Sequence, residues 1–466
     1  MSFLNRIVRL PSFNKNFFRN LTRDILGGVE RELWSRIDPA EDINTPRISV
    51  NDFRPGDVNI ENITLVSADG NRVHDLMQYV KEIHIYESII HPSMFCEMSM
   101  ADSISLYETF PITTNEFITF SVQTPGREKN EYRFAINRVG DKVTMPGNKM
   151  VTYKLQLVSP ELKASSASPI VKQFKGTISD MIKDILTEDI GTKKNINIEP
   201  STGIIDKTTG VRFPFALIHE HYLDADNRRD NHGVYVFFEN KRGYNLVTYE
   251  KLIKDGKKEL RFGSDKRFEF TPIRNANSED IKFRNILAYN QSMFCDAIDI
   301  VSLGGMNSTA IHYDPATGFG DRARYRESQD GGNLPTTDNN GTALIGTDFI
   351  RQYERNSIVN MLVAVNSETR PNTNLAEVLV KRNAFLNKLK QIEAQIFVYG
   401  DSNLAVGDVI ECSFPTSSSA ENDKGETRLD SGNYLITHLR HMILFTDRPQ
   451  HVIACNLMKA GMLGIN

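Results

Sequence analysis

Ile136-Asn-Arg-Val139-Gly-Asp-Lys-Val143 and Ile436-Thr-His-Leu439-Arg-His-Met-Ile443 carry apolar residues at the same three positions, 300 residues apart. The match runs on, because Met145, Tyr153, Leu155 and Leu157 fall opposite Phe445, Ile453, Cys455 and Leu457. A second block precedes each of these at an offset of 292. There Ile112, Asn115-Glu-Phe117-Ile118, Phe120 and Val122 fall opposite Leu404, Gly407-Asp-Val409-Ile410, Cys412 and Phe414. Any two alternating hairpins share some positions, since strand side chains repeat with a period of two. Here both offsets hold over whole blocks and the blocks keep their order, which points to an internal duplication of a β-rich unit.

The flanking sequence supports that reading. From Val58 to Leu162, alternating runs such as Ile118-Thr-Phe120-Ser-Val122 are separated by Pro, Gly and Asn turns, the pattern of a small barrel or sandwich. After Ala164-Ser-Ser-Ala-Ser-Pro169 the pattern changes. Thr177-Ile-Ser-Asp180 reads as the N-cap of a helix with Ile178, Met181, Ile182, Ile185 and Leu186 on one face. A second helix is expected from Pro214, then a hairpin of Val234–Phe238 and Tyr244–Tyr249 around a turn at Glu239 to Gly243. Residues 170–275 are therefore expected to form a separate α+β domain. Gly304 to Thr347 is polar and reads as a long loop, followed by a helix bearing Leu375, Val378, Leu379, Phe385, Leu386, Leu389 and Ile392. The expected division is an arm and linker over 1–50, a first β unit over 51–163, the α+β domain, and a discontinuous second β unit over 276–303 and 393–466. Residues 304–392 form the loop-plus-helix insertion.

Composition narrows the function classes. With 466 residues, 40% hydrophobic and 24% charged, the chain can bury more than one core. Its net charge of −4 lacks the basic excess that grips nucleic acid by counterion release. No apolar run approaches the roughly 18 to 20 residues that span a bilayer, so neither a signal peptide nor membrane insertion is expected. Cys96, Cys295, Cys412 and Cys455 stand far apart, as buried thiols of a reducing cytoplasm would.

No catalytic, cofactor or metal site is expected. His219 and His221 lie two apart on a helix, about 200° around its axis, and cannot share a metal as an i, i+4 pair does. His438 and His441 are expected on opposite faces of a strand. Asp224-Ala-Asp226 through Asp230 lacks the glycine and the final glutamate of a calcium loop and reads as a solvated turn. Gly318-Phe-Gly320 has no following Lys and Ser/Thr, so it is no phosphate loop, and the basic Asp321-Arg-Ala-Arg-Tyr-Arg326 reads as part of a solvated loop.

Leu404-Ala-Val-Gly-Asp-Val-Ile410, with Ser431-Gly-Asn-Tyr-Leu-Ile-Thr-His-Leu-Arg-His441 beyond a polar loop, resembles the last barrel of the central baseplate hub protein of phage contractile tails. That family is related in fold to the base of type VI secretion spikes. Phe174-Lys-Gly-Thr-Ile-Ser-Asp-Met-Ile-Lys-Asp-Ile-Leu186 is similar to the helix opening the family's middle domain. The resemblance runs from about Val58 to Met462 and leaves out the arm and the 304–347 stretch. It implies a β-rich α+β multidomain chain, with two similar tube-type β-barrels and an inserted α+β domain. It further implies a non-enzymatic homotrimer in the virion tail, assembled in the host cytoplasm, whose six barrels form a pseudo-six-fold ring between the tail tube protein and the central spike protein. Neighbouring baseplate proteins and the tape measure protein are further implied partners, and DNA passes through the ring without specific binding. The strands Ile118-Thr-Phe120-Ser-Val122 and Val409-Ile410 to Phe414, equivalent in the two copies, are the expected ring-forming elements. Two rival classes are a tail-associated cell-wall hydrolase and a glycan-binding tail module, neither of which accounts for paired β units.

Phe18, Leu21, Ile25, Val29 and Leu33 recur at helical spacing in a segment that carries seven basic and three acidic residues up to Ile37. Joined by a proline-bearing linker, this amphipathic arm is expected to dock on a partner. Each such side chain buried contributes about 1.5 to 3 kcal/mol. Leu21→Asp with Ile25→Asp should therefore weaken attachment to the tail while leaving the β units folded, read by co-sedimentation with tails and by circular dichroism. Tails that assemble normally without residues 1–37 would refute the docking role.

Overall fold

Alternating apolar positions build seven strands in the first third of the chain: β1 Asn59–Val66, β2 Val73–Asp75, β3 Val80–Ser88, β4 Phe95–Asp102, β5 Phe117–Gln123, β6 Asn130–Thr144 and β7 Val151–Val158. The computed structural model describes residues 54–110, 112–144, 150–227, 233–262, 265–270, 283–294, 296–313, 320–330, 336–338, 354, 359–364, 375–414 and 430–461. All of them belong to one unit, Phe53–Asn466. The expected arm, with Phe18, Leu21, Ile25, Val29 and Leu33, lies outside the described residues.

The middle of the chain supplies β8 Gln173–Gly176, β9 Ile196–Ile198, β10 Ile205–Thr208, β11 Tyr235–Asn240 and β12 Gly243–Thr248. The helix Ile178–Asp184 starts where expected, because the Thr177 hydroxyl accepts the Asp180 N–H. The helix Pro214–Tyr222 likewise begins at its proline. Next come β13 Arg267–Glu269 and β14 Ile286–Phe294, then β15 Asn307–Tyr313, β16 Gly320–Arg326 and β17 Val359–Ala364. The last strands are β18 Ile392–Tyr399, β19 Val409–Ser413, β20 Gly432–Leu444 and β21 Gln450–Lys459.

Thirteen strands form one sheet, mostly antiparallel, in which two six-strand sets repeat the same order: β3-β4-β7-β6-β5-β1 and β14-β18-β21-β20-β19-β13. Register repeats with order. Phe117 pairs with Ala135 in the first set and Val409 with Leu435 in the second. Ile136 faces Leu157 and the register then skips to Arg138 against Gln156; 300 residues on, Ile436 faces Leu457 and skips to His438 against Asn456. A bulge adds one residue to one strand, and unrelated hairpins have no reason to place it at the same position. The likeness fades at the margin, where β1 runs antiparallel to β5 but β13 runs parallel to β19.

The sets join through β3 and the later half of β20, which pair antiparallel from Glu82–Leu444 to Ser88–His438. The strands carry side chains across the join. Ile443 sits in the first core with Ile83, Met98, Ile118 and Leu155, while Ile89, following β3, sits in the second with Ile396, Leu439 and Leu457.

The middle segment is less separate than expected. Both faces of the β11–β12 hairpin are buried. Tyr235, Phe237, Tyr244 and Leu246 enter a core of their own with Ile182, Leu186 and Ile218, whereas Val236, Phe238 and Val247 enter the core of the second set. Within Gly304 to Thr347, expected as loop, β15 and β16 pair antiparallel, with β17 parallel to β15 and the helix Leu375–Leu389 packed beside them. Asn307, Ser308 and Thr309 are buried there in succession, so both faces of the strand are covered and no alternation of apolar with polar marks it. The basic cluster lies on β16, where Arg322 and Arg324 are exposed and the adjoining Tyr325 is buried. Nor is the described part of the acidic turn, up to Asn227, solvated, since Ala225, Asp226 and Asn227 are buried and Asn227 donates to Glu199; the rest, to Asp230, lies outside the described residues.

The helix Tyr249–Arg261 lies so close to β19 that a Cβ on Gly256 would stand 2.5 Å from Val409 Cβ and Cγ2. Adding a side chain to a helical glycine ordinarily favours the helix. Here overpacking should dominate at about 1 to 3 kcal/mol, so Gly256→Val is expected to lower the urea midpoint. An unchanged or raised midpoint would show that the helix can retreat freely.

Candidate functional site

The site that organises this molecule is a joint, centred on the hairpin turn Glu239-Asn240-Lys241-Arg242. β11 and β12 pair up to Asn240–Gly243, so the chain reverses within two residues and all four side chains cluster at one tip. Gly243 permits it, with φ at +123° and the Asn195 carbonyl oxygen 2.1 Å from where a Cβ would stand.

Glu239 reaches toward the first set, while Asn240, Lys241 and Arg242 all reach residues 402–408. Glu239 is fully buried; its Oε2 accepts the Met94 N–H at 2.9 Å and the Ser159 hydroxyl at 2.6 Å, tying the turn to the first set. Its Oε1 meets Lys194 Nζ at 2.5 Å, and that ammonium also meets Glu161 at 2.7 Å. Asn240 donates to the Val406 carbonyl at 3.1 Å. The Lys241 ammonium donates to the Ser402 carbonyl. Arg242 grips Asp408 with both guanidinium ends, at 2.7 and 3.0 Å, and donates to the Asn403 carbonyl at 3.1 Å. Residues 402–408 lead into β19, so one tetrapeptide holds both sets.

Glu87, on β3, closes the circuit. Its carboxylate accepts the Lys241 N–H at 3.1 Å and the Val406 N–H at 2.9 Å, at the end of the strand that pairs with β20. Burial pushes its carboxyl well up, although Val406 and Lys241 pull it back, and burial pushes the Lys241 ammonium down. Asp408 behaves oppositely. Burial would raise it, but Arg242, with Lys266 at 3.2 Å, outweighs burial and holds its carboxyl below the usual range. Glu239 and Asp408 are each engaged by backbone N–H groups and cations, and Glu87 by two backbone N–H groups, so the cluster fixes the geometry of the joint. Among the described residues no group of three or more His, Cys, Asp or Glu side chains is arranged to hold a metal ion.

A second contact runs beside the joint. The Thr124 N–H donates to the Ser402 hydroxyl at 3.2 Å and the Ser402 N–H to the Thr124 hydroxyl at 2.9 Å, while Arg127 bridges Asp265 and Asp401.

The strand residues expected to form a ring fall elsewhere. Ile118, Phe120 and Val122 are buried in the first core, and Val409, Ile410 and Phe414 in the second. Both edges of β5 are paired, with β1 and β6, and both edges of β19, with β13 and β20. Neither strand offers an edge to another chain. His438 and His441 are both buried, and His441 Nδ1 lies 2.9 Å from His451 Nε2, a pairing that strand alternation alone did not reveal. Cys96, Cys412 and Cys455 are buried free thiols, and burial raises each of them. Of the joint, Asp408 stood within a matched block, but nothing in the spacing of Glu87 and Arg242 pointed to it.

No protein-family model matches the chain, and no curated protein matches it. Solved structures do. A tail protein from Neisseria meningitidis MC58 aligns with a TM-score of 0.51 at 11% identity, over 88% of this chain and 98% of that one. The 43 kDa tail protein of prophage MuSo2 from Shewanella oneidensis aligns with a TM-score of 0.50 at 12% identity, over 86% of this chain and 99% of that one. At such identities the likeness is one of fold. The chain has the fold of these tail proteins, in keeping with the resemblance read from its sequence.

Breaking one buried pair tests the joint. Lys194→Met leaves Glu239 buried without its cation, which costs about 3 to 5 kcal/mol for an ionised partner. Burial already raises the Glu239 carboxyl, with Lys194 opposing, so removing the lysine raises it further. A group whose folded value is raised binds its proton more tightly when folded, so the deficit should grow as pH rises above the unfolded carboxyl range and shrink in acid. Urea unfolding at pH 5 and pH 8 measures it, and Lys194→Met with Glu239→Gln should recover part of the loss at pH 8. A deficit independent of pH would count against the joint.

Proposed function

We propose that this chain is a structural hub of a contractile phage tail baseplate, a trimeric adaptor joining a six-fold tail tube to a three-fold central spike. The single observation that carries the reading is the repetition of strand order, register and bulge in the two sets. Three copies of a chain with two like units present six, which lets a three-fold object meet a six-fold one. The fold shared with two tail proteins supports placing it in a tail.

In this reading each six-strand set is a tube-type β-barrel and the middle segment, from about residue 170 to the helix Tyr249–Arg261, is an inserted α+β domain. The second barrel is discontinuous, interrupted by the β15–β17 sheet and its helix. The joint at Glu239–Arg242 holds the barrels at a fixed angle, which a ring of defined radius needs. The partners are the tube protein, the spike protein and neighbouring baseplate proteins. The net charge of −4 suits a channel that DNA crosses without sticking, because carboxylates repel phosphate.

Multi-angle light scattering of the full chain should give three times its 52.8 kDa mass. A tail reconstruction should hold three copies at the end of the tube. A single chain at every concentration, together with a tube end that lacks three copies, would overturn the reading.

A further inference from the structure

The join within the chain brings together two different kinds of edge: the outer edge of β3 and the later half of β20. Each has a counterpart in the other set. β14 holds in the second set the place of β3 in the first, and β6 the place of β20. The match extends to single residues. Ile83 and Ile85 face Met98 and Cys96 on β4, as Tyr289 and Gln291 face Ile396 and Ala394 on β18. β3 skips register between Val80 and Glu82, and β14 skips at the same place, between Ile286 and Ala288.

These counterparts lack what β3 and β20 give each other. Among the described residues, β14 beyond the bridge from Asn285 to Glu269 pairs only with β18, and residues 138–144 of β6 pair only with β7. Exposure follows. At the join Ile443 and Ile83 are fully buried, whereas Val143 and Tyr289, their counterparts, are 53% and 39% exposed. The open edge of β6 carries Arg138 and Asp141, charges of the kind that keep an edge strand from pairing indiscriminately.

We propose that residues 288–294 of β14 pair antiparallel with residues 138–144 of β6 in a second copy of this chain, repeating between chains the seam that β3 and β20 make within one. Edge meets unlike edge, so the contact is head-to-tail, and a head-to-tail contact builds rings or filaments according to its rotation. The proposal rests on the hub reading only for the number of copies. It replaces β5 and β19 as ring-forming strands.

β6 has a further register skip between Gly140 and Val143, and β14 one between Gln291 and Met293, so the test scans registers. In the full chain, Val143→Cys is combined in turn with Tyr289→Cys, Asn290→Cys and Gln291→Cys and oxidised. One combination should give a disulfide between chains and a ladder of covalent species ending at three copies. Val143→Cys with Val73→Cys, on β2, should give none. In the unaltered protein, amide exchange over 138–144 and 288–294 should slow by about tenfold or more in the assembled species relative to the dilute chain. Three copies by light scattering with no cross-link in any register and no slowing would overturn the seam and leave the hub reading standing. A cross-linked ladder running past three would support the seam and overturn the ring of three. A single chain without cross-links at any concentration would overturn the seam.

Discussion

The antiparallel pairing of β3 with β20 is the constraint on which the rest of this molecule depends. β20 is long enough to serve two neighbours in turn, β19 along Gly432–Leu435 and β3 along His438–Leu444. Leu439 and Ile443 lie four residues apart on one face of β20, and because the strand runs from the second set into the first, that face delivers Leu439 to one core and Ile443 to the other. Neither core is complete without a residue from across the join, so the two sets cannot turn independently without opening both. Backbone pairing alone leaves such a sheet free to twist. The ionic joint at Glu239–Arg242 removes that freedom, by bonding one hairpin tip to β3, to the start of β4 and to the lead into β19.

Buried charge is a costly way to fix an angle. Taking Glu239 and Glu87 out of water is unfavourable, and hydrophobic replacements of similar shape are often as stable or more so. What apolar contacts lack is direction. Arg242 meets Asp408 in a two-point fork, and Glu87 accepts two backbone N–H groups from different segments, so each contact is satisfied in one orientation only. What the joint adds is therefore a single relative orientation of the two sets rather than extra stability.

The strands and helices were legible where periodicity or a cap marks them. The duplication could be read from Ile136, Val139 and Val143 against Ile436, Leu439 and Ile443, and the helix starts from Thr177 and Pro214, because those signals are local. The pairing of β15 with β16 was not legible, since Asn307, Ser308 and Thr309 are buried on both faces without being apolar. The joint was hidden for a different reason. Glu87, Glu239 and Asp408 are brought together by topology across more than 300 residues, and at each position the sequence shows an ordinary charged residue of the kind usually found in solvent. The pairing of both edges of β5 and β19 was hidden by the same limit: alternation finds a strand's faces, but which edges stay open is decided by the order of the sheet.

The edge of β3 used at the in-chain seam and the matching edge of β14 differ in one respect. Within the chain, the position on β3 that meets the joint is Glu87, and its neutralising partners arrive on a hairpin that the same chain supplies. On β14 the corresponding stretch reads Gln291-Ser-Met-Phe294, with no carboxylate. A lone glutamate on an edge that must leave water to meet another chain would have to be desolvated before any partner cation reached it, raising the barrier to association. An uncharged edge avoids that step. The in-chain seam can therefore carry the ionic joint, where folding brings all its members together at once, whereas the matching stretch of β14 presents no carboxylate that would have to leave water before its cation arrived.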